Sequence, residues 1–197
     1  MPKVTEEYRV ARRDEIADAA LRAFRRKGFQ ATSMAEIIEE SGLSAGAIYG
    51  HYPSKAALVV EVASRVVSGR IEELETLVDA TPMLPPPSVV RVLVTSMARE
   101  LGNPAVMLQL WGEAVTEPDI AELASTVLVR ITTAWTHYTS LWHQRTHGLP
   151  EAEADAIAAD QVPLLLAAVQ GYVIQSSLLR AFDPEAYLAS VERNLPR

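Results

Sequence analysis

Along nearly the whole chain, apolar side chains recur at the three-and-four spacing of one helical face, and glycine or proline marks the breaks between such stretches. Ile16, Ala19, Ala20, Ala23 and Phe24 share a face of a first helix over about 7–27. Its last turn carries Arg25-Arg26-Lys27, where cations suit the helix dipole, and Gly28 stops it. Met34, Ile37 and Ile38 mark a short second helix, with Ser33 at its N-cap and Glu36 three residues on, the reciprocal pair of a capping box. Ser41-Gly42-Leu43 ends it, because glycine takes a left-handed turn without a Cβ clash. Ser44 caps a third, short helix that turns Ala45, Gly46, Ala47 and Tyr49 outward and returns Leu43 and Ile48 to the core. Pro53 forces Tyr52, expected to be a core side chain, out of helical geometry. Ser54 then caps a long helix to about residue 78, carrying Leu58, Val62, Val66, Ile71, Leu74, Leu77 and Val78.

The proline-rich stretch 81–87 is a stiff break, after which Ser88 restarts a helix to about 101, and Pro104 opens another to about 115. From Pro118 to Gly148, Ile120, Leu123, Val127, Ile131, Trp135, Tyr138 and Trp142 keep helical spacing. An alanine-rich helix is expected from Glu151 to Phe182, apolar almost all round between Val162 and Ile174 and kinked at Pro163. Asp183-Pro184 starts a last helix to about 195. No strand pattern and no internal repeat emerges. The expectation is an all-α protein of about nine helices, with a three-helix head (1–55) on a larger helical body (56–197).

A short outward helix held at a fixed angle by a glycine turn suits insertion into the DNA major groove. Tyr49, Gly50, His51 and Lys55 follow at its far end, and the phenol, imidazole and ammonium all donate hydrogen bonds of the kind that hold phosphates. Thr32, Ser33, Ser44, Ala45, Gly46, Ala47, Tyr49, Gly50, His51 and Lys55 are therefore the expected DNA contacts. Base reading there falls to Ser44 and to Ala45 and Ala47 against thymine methyls, since the helix offers no Arg, Asn or Gln for bidentate readout. Arg9, Arg12 and Arg13 are read as a solvated basic face in preference to a minor-groove arm.

At this point the sequence resembles the TetR-type (tetracycline-repressor-like) transcriptional regulators. The resemblance runs from about Arg13 to Leu58 through Ile16, Ala19-Ala20, Phe24, Gly28-Phe29, Thr32-Ser33-Met34, Ile37, Ser41-Gly42-Leu43-Ser44, Ile48-Tyr49 and His51-Tyr52-Pro53-Ser54-Lys55. Two positions depart from the family pattern. Ile38 stands where alanine is usual, which would space the motif helices further apart, and Gly50 stands where an aromatic or histidine is common. The resemblance implies an effector cavity in the body and a dimer whose last two long helices pair as a four-helix bundle.

Net charge looks at first unsuited to DNA. The total is −7, but residues 1–55 hold nine Lys/Arg against eight Asp/Glu (+1), and residues 56–197 hold nine against seventeen (−8). The acidity belongs to the body, where it repels non-specific DNA and leaves binding to a local surface. There is no cysteine, hence no disulfide or thiolate metal site. The charged N-terminus lacks a signal-peptide core, and no apolar run is expected to reach the roughly 18–20 residues that span a bilayer. A cytoplasmic protein without membrane contact is the expectation.

In the body, Met107, Leu110, Trp111, Trp135, Tyr138, Trp142, Gln170 and Tyr172 are the candidate lining of an effector pocket, each also a candidate for ordinary packing. Gln109, Glu113, His137 and Gln175 are further candidate polar groups. A helix apolar on every side needs a partner, so Ala167, Ala168, Gly171, Ile174 and Leu178 are the candidate dimer interface. His143 and His147 stand four apart without a third ligand near in sequence, so no metal is expected, nor any cofactor. With neither a phosphate loop nor a catalytic cysteine the chain is not read as an enzyme. The expected function is a dimeric repressor released from double-stranded operator DNA by a small, largely apolar or aromatic effector. The rival is a helical protein-interaction module, which leaves the donors from Tyr49 to Lys55 without a purpose.

Overall fold

A computed structural model describes residues 5–196, apart from the side chains of Asp119 and Leu123, so the expected role of Leu123 on its helix face lies outside the described residues. Among the described residues the chain forms nine α-helices and no strand: α1 (Glu6–Lys27), α2 (Met34–Ser41), α3 (Ala45–Tyr49), α4 (Lys55–Val78), α5 (Pro86–Leu101), α6 (Ala105–Thr116), α7 (Pro118–His147), α8 (Glu151–Leu178) and α9 (Pro184–Asn194).

Local chemistry explains most boundaries. Thr5 caps α1, its hydroxyl accepting from the Tyr8 amide at 3.3 Å. Gly42 ends α2 in the left-handed conformation at φ 67°, where a Cβ would be strained. α5 begins earlier than expected, because Pro86 and Pro87 occupy first-turn positions that need no amide hydrogen. α8 runs through Pro163 without interruption but stops short of Phe182. Leu179 is already extended while its amide still closes on the Gln175 carbonyl at 2.9 Å. The turn that follows sets Phe182 edge-on to Tyr172, with ring centroids 5.4 Å apart.

The chain packs as two compact units. One comprises the residues up to Arg65 together with Val106–Ala124, and the other comprises Val66–Ala105 together with the chain from Ser125 onward. Packing therefore places the first turns of α4 and nearly all of α6 with the head. In the first unit Ile16, Ala19, Ala20, Phe24, Ile37, Ile48 and Leu58 are almost wholly buried, and Phe24 meets Phe29 edge-on at 5.6 Å. Each of the larger of these side chains, Ile16, Phe24, Ile37, Ile48 and Leu58, contributes about 1.5–3 kcal/mol on leaving water, which holds α2 and α3, too short to persist alone, against α1.

In the second unit the core joins Leu74, Val89, Val90, Leu93, Val94, Ile131, Trp135, Tyr138, Val162, Leu165, Tyr172, Leu188 and Val191. α5 packs on α8 and α9 there. α8 corrects the expectation of no membrane-length apolar run: among the described residues it is the helix long and apolar enough, by length and composition, to cross a membrane, with mean hydropathy 1.5 over 18 residues. One face of α8, from Ala154 and Ala158 through Val162, Leu165 and Ala168 to Tyr172, is buried within the chain. Leu164, Ala167, Ile174 and Leu178 form an exposed stripe on it, Leu178 at 68%.

Candidate nucleic-acid interface

The head presents α3 on a rigid frame. Ser33 Oγ accepts from the Glu36 amide at 3.2 Å, and the Glu36 carboxylate accepts in return from the Ser33 amide at 2.8 Å and hydroxyl at 3.0 Å. Lys27 adds a charged hydrogen bond to the same carboxylate. That bond first, and then the Ser33 donors, hold the Glu36 carboxyl down at about 2. Ser41 stitches the turn, its hydroxyl donating to the Ile38 carbonyl at 2.9 Å and accepting from the Leu43 amide at 3.1 Å. Ser44 then caps α3 by accepting from the Ala47 amide at 3.3 Å, which leaves its own proton free to donate. Ser54 caps α4 through the Ala57 amide at 3.1 Å.

These caps sort the expected contacts. Ser44, Ala45, Gly46, Tyr49 and Gly50 are exposed, and Ala47 and His51 are half-buried. All seven lie on α3 or next to its ends and form the outward surface. Ser33 is exposed, but its amide and hydroxyl are spent on the capping box. Thr32 does not belong to the surface: it is 1% exposed, and its hydroxyl donates to the Gly28 carbonyl at 2.8 Å, closing the end of α1. Lys55 is half-buried. Its ammonium donates to the Phe29 carbonyl at 3.1 Å and sits 4.4 Å from the Phe29 ring centroid. Carbonyls at the end of α1 and in the turn after it take both groups as donors. Tyr52 is a core side chain as expected, 3% exposed, with burial as the main reason its phenol is raised above its ordinary range.

Most cations of this unit are held by its own carboxylates. Arg12 bonds Glu15 at 2.5 Å and the Tyr8 hydroxyl at 2.8 Å, and Arg13 bonds Glu61 at 2.5 Å. Arg22 and Arg26 share Glu40 at 2.8 and 2.5 Å, and these two partners lower its carboxyl. Arg65 reaches Asp14 and, at 3.3 Å, Glu61. Glu61 is pushed up by burial, yet Arg13 and Arg65 outweigh that and leave it lowered.

The sequence reading missed a clamp on the turn between α1 and α2. Gln109 and Glu113 of α6, one helical turn apart, were candidate pocket groups. Here Gln109 Oε1 accepts from the Phe29 amide at 2.7 Å, and the Gln30 side-chain amide donates to Glu113 at 2.6 Å. With Lys55 on the Phe29 and Gln30 carbonyls, both edges of this turn are bound. Nothing in the helical periodicity of α6 could signal a contact some eighty residues away in sequence.

The effector candidates separate. Met107, Leu110 and Trp111 belong to the first unit, and Trp135, Tyr138, Trp142, Gln170 and Tyr172 to the second. In the second unit Trp135, Tyr138 and Tyr172 are core members. The Tyr138 hydroxyl donates to the Leu84 carbonyl at 2.9 Å, and burial pushes its phenol up to about 12. Trp142 instead meets His143 and His147 edge-on. It also borders a surface hollow of about 420 Å³ with Met83, Pro85 and Arg145. Gln170 is exposed rather than inward, since it lies on the side of α8 away from its buried face, and His137 is exposed as well.

The interface candidates divide in the same way. Ala167, Ile174 and Leu178 are exposed. Ala168 is buried within the chain, its carbonyl accepting from the Tyr187 hydroxyl at 2.7 Å. Gly171 owes its size to the same crossing, for a Cβ there would lie 2.6 Å from that hydroxyl. Among the described residues no three His, Cys, Asp or Glu side chains gather to hold a metal ion.

Residues 16–62 match the family model for bacterial regulatory proteins of the tetR family. The HTH-type transcriptional regulator YfiR of Bacillus subtilis is 39% identical over 72 residues, 36% of this chain, and the match spans 33% of that relative's length. Two solved structures share the fold over nearly the whole chain. A TetR transcription regulator from Haloarcula marismortui has a TM-score of 0.68 at 16% identity, covering 93% of this chain and 94% of that one. FadR of Thermus thermophilus, a TetR-family transcriptional repressor in complex with lauroyl-CoA, has a TM-score of 0.60 at 22% identity, covering 94% and 96%.

Proposed function

We propose that this chain, which belongs to the tetR family of bacterial regulatory proteins, is an effector-responsive DNA-binding repressor that acts as a homodimer in the cytoplasm. The observation that carries the reading is the head: a capped α2, a left-handed Gly42 turn, and an α3 that presents Ser44, Ala45, Gly46, Ala47, Tyr49, Gly50 and His51 on one continuous surface. The function is regulation, not catalysis. The division of roles is a DNA-binding head over residues 1–55 and an effector and dimerisation body over 56–197, with α6 serving the head by clamping its first turn.

The dimer rests on the stripe Leu164, Ala167, Ile174 and Leu178, whose spacing continues along one side of α8 while the chain itself covers the other. A second copy laid on that stripe would give two heads for a near-palindromic operator, with half-sites one helical turn or more apart. The effector is assigned as small and largely apolar or aromatic, from the aromatic content of α6, α7 and α8. The lauroyl-CoA bound by the Thermus FadR is an apolar-tailed ligand carried by the same fold. Such a ligand weakens DNA binding only by its difference in affinity for the two states of the protein, and tenfold weakening needs about 1.4 kcal/mol. Rearrangement of α4, whose first residue Lys55 holds the head's first turn, is the assigned route.

The test is selection of duplexes from a random pool by the purified full chain, followed by fluorescence anisotropy of the recovered and scrambled sequences across a salt series. Preference for the recovered duplex, with affinity falling steeply as salt rises, is the expected result. If no sequence is enriched and no salt-dependent binding is found, the DNA-binding reading fails. The α8 stripe would then favour a protein-interaction module.

A further inference from the structure

We propose that the groove between the first turns of α1 and the face of α3 seats one phosphodiester strand of the bound DNA, with Arg9 as its phosphate ligand. The inference rests on the DNA-binding reading and adds to it a surface outside the helix-turn-helix itself. The groove encloses about 690 Å³, with Glu6, Tyr8 and Arg9 on one wall and Gly46, Gly50 and His51 on the other. The space beside Gly46 is open, since a Cβ there would meet no atom within 4 Å.

Of the head's cations among the described residues, Arg12, Arg13, Arg22, Arg26 and Lys27 are each bound to a carboxylate, Lys55 is bound to carbonyls, and Arg25 too is engaged. Arg9 is held far more weakly: its guanidinium stands 4.0 Å from Glu6, and its side chain is 64% exposed. It is therefore the guanidinium that a phosphate gains at least cost, and it borders the helix that enters the major groove. α3 brings no long cation of its own to this surface. A strand lying against α3 would meet Arg9, the Tyr8 hydroxyl and the His51 ring together. Glu6, with its side chain 82% exposed, is the one group in the groove that opposes a phosphate. Its loose pairing lets Arg9 exchange one anion for another.

The experiment uses the full chain and a duplex that the unaltered protein has itself recovered from a random pool. Affinity is measured by anisotropy from low to moderate salt for Arg9→Gln, Arg9→Lys and Glu6→Gln, with Arg180→Gln, an exposed arginine beyond α8, as the charge control. Circular dichroism checks that each variant is folded. Arg9→Gln is expected to weaken binding roughly tenfold across preferred and scrambled sequences alike, and to flatten the slope of log affinity against log salt by about 0.9 for each head engaged. Arg9→Lys, which keeps a point charge, retains most of the slope. Glu6→Gln tightens binding several-fold, a gain that damage to the fold does not produce.

An Arg9→Gln protein with the slope of Arg180→Gln overturns the proposal while leaving the DNA-binding reading standing. So does a loss confined to the preferred sequence with the slope unchanged, which would mark Arg9 as a base reader. Failure of the unaltered protein to enrich any duplex overturns both.

Discussion

Gln109 offers the sharpest check on how the head is held. In Gln109→Ala the Phe29 amide loses its acceptor at 2.7 Å, and the half-buried site limits how well water replaces it. A neutral hydrogen bond is worth about 0.5–1.5 kcal/mol net, and an amide left unpaired away from solvent costs about 1–3 kcal/mol. With partial access for water, about 1–2 kcal/mol is expected here. At 1.4 kcal/mol per factor of ten, that is roughly a 5- to 30-fold loss of protection for the Phe29 amide in native-state hydrogen exchange. The amide of Thr32, which bonds the Phe29 carbonyl within the same turn, should follow in part. Gln109→Glu keeps an acceptor oxygen and should restore most of the protection. It would do so at a small cost, about 0.2–0.5 kcal/mol, from the like charge of Glu113 one turn on. Buried amides of α8 serve as the internal reference. If Phe29 exchanges at the same rate in Gln109→Ala and the unaltered protein, α6 does not restrain this turn, and the proposed support of the head by α6 is wrong.

Thr32→Val keeps the shape of a buried side chain but removes its bond to the Gly28 carbonyl, so urea unfolding should show a loss of about 1–2 kcal/mol, with no change in the salt slope of DNA binding. Glu36, held down at about 2 against an ordinary 4.5, contributes stability that is fully present above pH 4.5 and lost as pH falls through 2. An NMR titration of its carboxyl should show that low midpoint, and Lys27→Met should raise it. Gly171→Ala places a methyl 2.6 Å from the Tyr187 hydroxyl and threatens the bond from that hydroxyl to the Ala168 carbonyl. A destabilisation of about 1–3 kcal/mol should appear in thermal unfolding. Ile174→Asp with Leu178→Asp puts charges on the exposed α8 stripe. Sedimentation should then show a monomer, with helical content by circular dichroism unchanged, and an unchanged sedimentation profile would remove the stripe from the proposed dimer.

The head was legible because its information is local. Caps, the Gly42 turn and the Pro53 break each act within four residues, so sequence spacing alone placed α2, α3 and the start of α4. The same local reading did not reveal the internal partners of Thr32 and Lys55, and for one physical reason. A polar side chain near a helix end can face a ligand or satisfy a neighbouring terminus, and the choice depends on carbonyls that come near only in the fold. Thr32 finds Gly28, and Lys55 finds Phe29 and Gln30 across 26 and 25 residues. The pairing of Arg13 with Glu61, across 48 residues, was hidden in the same way. A count of nine cations against eight anions in the head says little about which charge is free to meet DNA.

The body was harder to read because helical periodicity says that a face is apolar and not what covers it. α8 shows this most plainly, since it is apolar on both sides and its hydropathy alone would also suit a lipid environment. Two neighbouring residues resolve differently once α9 is in place. Ala168 and Gly171 are small because Tyr187 crosses them, binding one carbonyl and filling the space beside the other. Ala167 and Ile174, the more apolar pair, are left outside. Aromatic side chains carry the same ambiguity. Trp135 and Tyr138 are almost wholly buried and hold the core, with the Tyr138 hydroxyl tied to the Leu84 carbonyl. An effector that used them would have to displace packing rather than fill a void, so its binding energy would be coupled directly to the arrangement of α5, α7 and α8. A close-packed core moves between discrete arrangements and does not deform continuously, and two discrete states are what the proposed release of DNA requires.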